Sequence, residues 1–276
     1  MKPVSTSEQP ILSVKHLSLY TGELSLRSLL LEHRLIRRKP VLSNISFELF
    51  RGECLVIMDD GRSSLPALID ILAGLRRQSS GLILCSGKVL TQDNPRRSSI
   101  IRPIFARSER TLDNGLDIGT TLDIPLRFST ELRPEERLAR IRRTLELLRL
   151  PPDIIYEYPS NISPAESMRV SLARALVLMP RILVSNSAFM DLAPTIRAEM
   201  MNITMMLRKD YHITQIFAAR NIDIARKISD RILIMANGTT EEFGETGRVL
   251  GNPQSAGTKK ILENFSTRYR YSPVRD

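Results

Sequence analysis

CLVIMDDGRSSLPALIDILAGL, residues 54–75, decides how the rest of the chain is read. The continuous apolar run CLVIM has the character of a strand buried on both faces of a parallel sheet. A polar turn follows, then a helical stretch with Ser63 or Ser64 available as N-cap and Pro66 tolerable in the first turn. This is the strand–turn–helix outline of a phosphate-binding loop, in which backbone N–H groups wrap phosphates, a Lys neutralises them and a hydroxyl holds magnesium. Yet Asp59 and Asp60 stand where the loop begins, and Leu65 and Pro66 stand where a Lys and a Ser would be wanted.

Outward from this stretch, ILSVKHLSLY (11–20) and SNISFEL (43–49) read as strands. The basic and apolar LRSLLLEHRLIRRKP between them is either an insertion on the sheet edge or an amphipathic piece lying against a membrane or partner. Further apolar runs, RILVS (181–185), ITQIFA (213–218) and RILIM (231–235), are separated by helix-length segments. Strands alternating with helices predict an α/β fold with a mostly parallel sheet. In TELRPEERLARIRRTLELLRLPP (130–152), Leu138, Ile141, Leu145 and Leu148 share one helical face, which predicts a helical subdomain over 107–178. Met200, Met201, Met205 and Met206 read as adaptable core filling, and FSTRYRYSPVRD at the end as a loosely held tail.

The 40 Lys+Arg against 30 Asp+Glu give a formal charge of +10, a balance that serves nucleic acid, an anionic surface or mere solvation. The basic residues are scattered without aromatic interleaving, which argues against nucleic acid. No apolar run is long enough to span a bilayer and no secretion signal is visible, so a cytoplasmic location is expected. Cys54 and Cys85 sit in apolar strand-like runs and are expected as buried thiols.

Taken in order, these segments resemble the ATP-binding subunits of ABC transporters over about residues 11–265, most closely the oligopeptide and antimicrobial-peptide branch; LDIPLRFSTELRPEERLARIRRTLELLRLPPDIIYEYP (122–159) and SLARALVLMPRILVS (171–185) carry the closer likeness. The resemblance implies a P-loop NTPase with a RecA-like core (11–106 and 179–250), the helical subdomain (107–178) and a C-terminal extension (251–276). It also implies two subunits sandwiching ATP head to tail, the phosphate loop of one facing the signature segment of the other.

Carried over singly, the family's motifs are altered. LAGL (72–75) places Leu65 at the phosphate-loop Lys, Pro66 at the magnesium-binding hydroxyl, and Asp59 and Ser64 at the two defining glycines. A slid register, with Gly61, Arg62, Ser63 and Ser64 playing G-K-S-T, would supply a cation and a hydroxyl but shifts the following helix by three residues. The Q-loop Gln falls on Ala106, the Walker B Asp and catalytic Glu on Asn186 and Ser187, the switch His on Asn221 and the D-loop Asp on Ala193. The signature segment reads ISPAE (162–166): Ser163 matches, and Ser163-Pro164-Ala165-Glu166 is a capping box with Pro at the first helical position. Tyr20 is the candidate adenine platform, or equally a core or edge residue.

The expectation is a transporter subunit that keeps the fold and docking surface, pairs with a homologous ATPase subunit and contacts transmembrane subunits, and binds ATP and magnesium weakly or not at all. No catalytic residue and no metal ligand is assigned. The nucleotide-site remnants are Tyr20, Gly61, Arg62, Ser63, Ser64 and Ser163. The alternatives are a divergent active ATPase using Arg62 and Ser63, and a transporter-independent adaptor or nucleic-acid binder reusing the fold.

Overall fold

Strand β3 (Cys54–Asp59) is buried along its whole length, and its two faces feed two different cores. Successive side chains of a strand point to opposite faces. Cys54, Val56 and Met58 accordingly join one apolar cluster while Leu55 and Ile57 join the other. The computed structural model describes residues 9–21, 39–61, 64–94, 97–104, 112–186 and 192–270.

In the larger sheet β3 lies between the parallel strands β8 (Thr214–Ala218) and β9 (Arg231–Ala236). Parallel β7 (Ile182–Ser185) and β6 (Ile101–Ile104) continue beyond β8, and antiparallel β10 (Thr239–Glu245) closes the other edge. The mostly parallel α/β sheet expected from the alternating apolar runs is thus present. β1 (Leu12–Thr21) and β2 (Lys39–Leu49) do not join it; with β4 (Ser80–Cys85) and β5 (Lys88–Val89) they form a separate antiparallel sheet ordered β2-β1-β4-β5. The hairpin turn between β9 and β10 is Asn237-Gly238, both at positive φ (50° and 77°), the pairing such two-residue turns favour. A Cβ at Gly238 would strike the Val41 carbonyl, and the Gly238 carbonyl accepts Ser43 N–H at 2.8 Å, joining the two sheets.

Helix α1 (Ser64–Ala73) fills the space between the sheets with Leu65, Leu68, Ile69 and Leu72. Gly74, at φ 80°, ends it, and the buried guanidinium of Arg97 donates to the carbonyls of Ile71 (2.5 Å), Leu72 (3.3 Å) and Leu90 (2.9 Å). The last-turn carbonyls of a helix have no partner further along it; here Arg97 covers those of Ile71 and Leu72, and the Ile71 carbonyl also accepts the Gly74 N–H at 3.1 Å. Arg97 belongs to the short helix α2 (Arg97–Ile100).

The opposite face of the large sheet carries α3 (Ile118–Ser129), α4 (Pro134–Leu147), α5 (Pro164–Leu176), α6 (Pro194–Tyr211) and α7 (Ile222–Ile228), all contributing to one core. The helix expected within 130–152 buries Ile141, Leu145 and Leu148. Leu138 departs from that face at 38% exposure, because it borders a smaller cavity shared with Tyr156 and Tyr158. Met200 and Met201 are buried, as expected of gap-filling thioethers. Cys54 and Cys85 are buried free thiols, and burial pushes both up from the ordinary thiol value.

One expectation fails. The stretch beginning at Phe265 is not a loose tail, because α9 (Ala256–Arg270), which follows the short α8 (Thr246–Gly251), runs through it and seats Phe265 in the core beside Ile261. Ile261, Leu262 and Phe265 are spaced as one face of a helix, a pattern that the flanking polar residues masked. Residues 271–276 and the basic stretch up to residue 38 lie outside the described residues.

Phe265→Ala is expected to cost about 3–5 kcal/mol in denaturant unfolding, the usual cost of emptying an aromatic core site. Phe128→Ala, at a side chain 83% exposed, should change stability by no more than about 0.5 kcal/mol.

Candidate functional site

Parallel strands bring their C-terminal ends to one edge, where open α/β sheets bind ligands. Val56 of β3 and Ser185 of β7 flank Phe217 of β8, so Asp59, Asn186 and Asn221 all emerge at this edge. These are the ends on which the phosphate loop, the Walker B carboxylates and the switch His were placed from sequence. Arg62, Ser63, Ala106 and Ser187 lie outside the described residues.

The centre of the edge is Asp59, 1% exposed. Its Oδ1 accepts the Gly61 N–H at 3.1 Å, while Oδ2 accepts the Ser64 hydroxyl at 3.2 Å and the Leu65 N–H at 3.3 Å. Gly61 has φ 84°, a left-handed conformation that glycine adopts without strain. A turn whose amides converge ahead of a helix N-terminus is a nest for an anion. Here the acceptor is a side chain of the same chain. α1 has no acidic residue in its own first turn, so Asp59 supplies that acceptor from the preceding strand. Burial pushes the Asp59 carboxyl up from the ordinary 3.8, against the opposing pull of the hydrogen bonds from Gly61, Ser64 and Leu65.

Leu65 is 3% exposed and packs in the core between the sheets. Pro66 has no N–H to direct at an anion. Asp60 accepts the Asn237 N–H at 3.2 Å, tying the loop to the β9–β10 turn.

The start of α5 is closed in a parallel way. Ser163 Oγ accepts the Glu166 N–H at 3.3 Å, and the Glu166 carboxylate accepts the Ser163 N–H at 2.9 Å and its hydroxyl at 2.7 Å. This is the capping box expected from S-x-x-E. The Ser163 hydroxyl and N–H hold the Glu166 carboxyl below its ordinary 4.5. Asn221 is likewise engaged, its side-chain oxygen accepting Ile224 N–H at 3.0 Å as N-cap of α7. Ala193 precedes α6 without capping it, and Asn186 is exposed just beyond β7. Tyr20 lies in the antiparallel sheet at the end of β1, opposite Pro40 and 40% exposed, with its backbone N–H donating to Ser79 Oγ at 3.0 Å.

The residue whose role the sequence reading missed is Asp59, there placed only at the start of the loop, on the position of a family glycine. The usable signal was Asp59-Asp60-Gly61, since an Asp two residues before a Gly favours a side-chain turn onto its N–H.

The two carboxyls predict opposite pH behaviour. The raised Asp59 value means that its protonated form favours the fold; that contribution is full below about pH 3.8 and is lost as pH rises through the folded value. Asp59→Asn cannot ionise, so its stability relative to wild type should rise with pH over that window. The lowered Glu166 value means stabilisation that is present above about pH 4.5 and is lost as pH falls through the folded value. Glu166→Gln should therefore be weaker at neutral pH and converge with wild type in acid. Ser163→Ala should cost about 1 kcal/mol. Denaturant midpoints across a pH series read all three.

Residues 42–189 match the family model described as ABC transporter. The chain is 33% identical to the putrescine export system ATP-binding protein SapF of Escherichia coli K12, over 82% of this chain and 85% of that one. It is 32% identical to the peptide transport system ATP-binding protein SapF of Salmonella typhimurium over the same shares. Among solved structures, cbiO1 of Clostridium perfringens, part of the ABC transporter complex cbiONQ, superposes with a TM-score of 0.73 at 20% identity, covering 95% of this chain and 97% of that one. The chain belongs to the ABC transporter family and has the fold of its ATP-binding cassettes.

Proposed function

We propose that this chain is the ATP-binding-type subunit of a peptide ABC transporter that has been kept for its fold and docking surfaces rather than for hydrolysis. It pairs with a competent homologous ATPase subunit and contacts the transmembrane subunits from the inner face of the membrane. The peptide assignment rests on the similarity to SapF of Salmonella typhimurium, which is named for peptide transport. Among the described residues no helix is long and apolar enough to cross a membrane, so membrane association falls to partner subunits in this reading. Phe128 and Tyr156, 83% and 75% exposed on the helical side, are apolar surface suited to such contacts.

The observation that carries the proposal is the Asp59 carboxyl seated among the Gly61, Ser64 and Leu65 donors. A phosphate must compete with that carboxyl for the same donors. When ionised, Asp59 also repels a phosphate charge by about 1 kcal/mol at 4 Å even at the dielectric of water, and by more in a buried site. Among the described residues the family's own positions lack the groups that would favour the exchange: Leu65 brings no charge, and Pro66 brings neither an N–H nor a hydroxyl for magnesium. Magnesium-ATP therefore does not fit the described residues. Asn186, Asn221 and Ala193 at the remaining family positions offer no general base of useful strength.

Equilibrium dialysis with millimolar ATP and magnesium tests the proposal directly. The purified chain should show no saturable, magnesium-dependent binding, and the reconstituted transporter should need this chain for assembly while its ATPase activity resides in the partner. Asp59→Gly, which clears the nest without entering the core, should gain weak binding of inorganic pyrophosphate. Magnesium-dependent ATP turnover by the wild-type chain, lost on changing Arg62 or Ser63, would overturn the proposal in favour of an active ATPase.

A further inference from the structure

A cleft of about 1120 Å³ lies at the opposite edge of the sheet from the candidate nucleotide site. Arg51, Arg181 and His212, which precede β3, β7 and β8, mark its position at the N-terminal ends of the parallel strands. The facing wall is the side of α4 turned away from its buried Ile141 and Leu145, and it presents Arg140 and Arg143. The volume is at the upper limit of small-molecule sites, roughly 1,000 Å³.

The charge across this cleft is unbalanced. Four arginines face only two glutamates, Glu136 and Glu146. Glu136 is already committed, accepting the Arg133 N–H at 2.7 Å and pairing with its guanidinium. Among the described residues, Arg51, Arg140 and Arg143 have no carboxylate within ion-pair distance, while Arg181 donates to Ser86 Oγ at 3.3 Å. Cations projecting from both walls of one cleft repel one another, and that repulsion is relieved when an anion sits between them. The arginines are interspersed with apolar side chains, Ile11, Leu147 and Ile213, alongside the polar Gln9, Ser86 and Thr144, and Met179 (62% exposed) and Tyr211 (44% exposed) add further apolar lining.

We propose that this cleft binds an organic anion that joins a phosphate or carboxylate head to an apolar body. The head pairs with Arg140 and Arg143 on one wall and with Arg51 and Arg181 on the other, and the body covers the apolar lining. Planar guanidinium forks suit such heads. Because the walls belong to α4 and to the strand ends, the bound anion ties the helical side of the molecule to the sheet at a place remote from Asp59. The inference stands apart from the proposed loss of hydrolysis.

Isothermal titration of the full chain with octyl phosphate, below its micelle-forming concentration, tests it. Saturable one-to-one binding is expected, with inorganic phosphate and octylamine each at least roughly tenfold weaker. The double variant Arg140→Glu/Arg143→Glu should weaken octyl phosphate by roughly tenfold or more while its thermal transition stays cooperative. Should that variant fail to fold, Arg143→Gln, at an exposed position, should still weaken binding measurably. Vesicles containing phosphatidic acid identify the source: sedimentation with them, displaced by octyl phosphate, assigns the head to a lipid, and binding of octyl phosphate alone assigns it to a free amphiphile. Octyl phosphate that does not bind, binds no better than octylamine, or is indifferent to charge at Arg140 and Arg143 overturns the proposal.

Discussion

The hydrogen bonds from Gly61, Ser64 and Leu65 to the Asp59 carboxyl join the central strand to the first helix, and much of the molecule is arranged around that join. The N–H groups of a helix's first turn lack partners within the helix, and leaving them unsatisfied in a buried place is costly. In a nucleotide-binding loop those groups await phosphate. Here the Gly61, Ser64 and Leu65 donors meet an acceptor that is always present and are satisfied without a ligand. Arg97 performs the matching task at the other end of α1, covering the carbonyls of Ile71 and Leu72. The helix is closed at both ends by side chains of its own chain, and Leu65 locks into the core between the sheets.

The same solution recurs at α5, where Glu166 and Ser163 satisfy one another, and at α7, where Asn221 caps the first turn. Three helix starts associated with phosphate or catalysis by family resemblance are thus turned to internal capping. The strands and helices behind them keep fully buried apolar faces, including the alternating faces of β3. A site lost by unconstrained drift would be expected to lose packing along with chemistry. Here the packing is intact, and Asp59, Glu166 and Asn221 at the edge are engaged within the chain, the arrangement expected under the proposed retention for docking.

The parallel sheet was legible because β3, β7, β8 and β9 are continuous apolar runs, and the α5 cap was legible because its whole motif lies within four residues. Asp59 was legible as an anomaly but not as a partner: its contacts reach Ser64 and Leu65 across a turn whose shape the sequence does not reveal. The pairing of β1 with β4 was illegible for a related reason, since the partner strands are far apart along the chain and share only alternation. Phe265 was misread because local composition outweighed the helical spacing of Ile261, Leu262 and Phe265. The arginine-lined cleft was also invisible, as Arg51, Arg140, Arg143 and Arg181 come from distant parts of the chain and meet only as linings of the cleft between α4 and the strand ends.

The central claim is that the donors ahead of α1 are occupied by Asp59 and unavailable to nucleotide. Amide hydrogen exchange at Gly61 and Leu65, measured with and without magnesium-ATP, tests it most directly. The account predicts that both amides exchange at the same rates in the two conditions, protected by the carboxyl alone. A saturable rise in their protection on adding magnesium-ATP would contradict it.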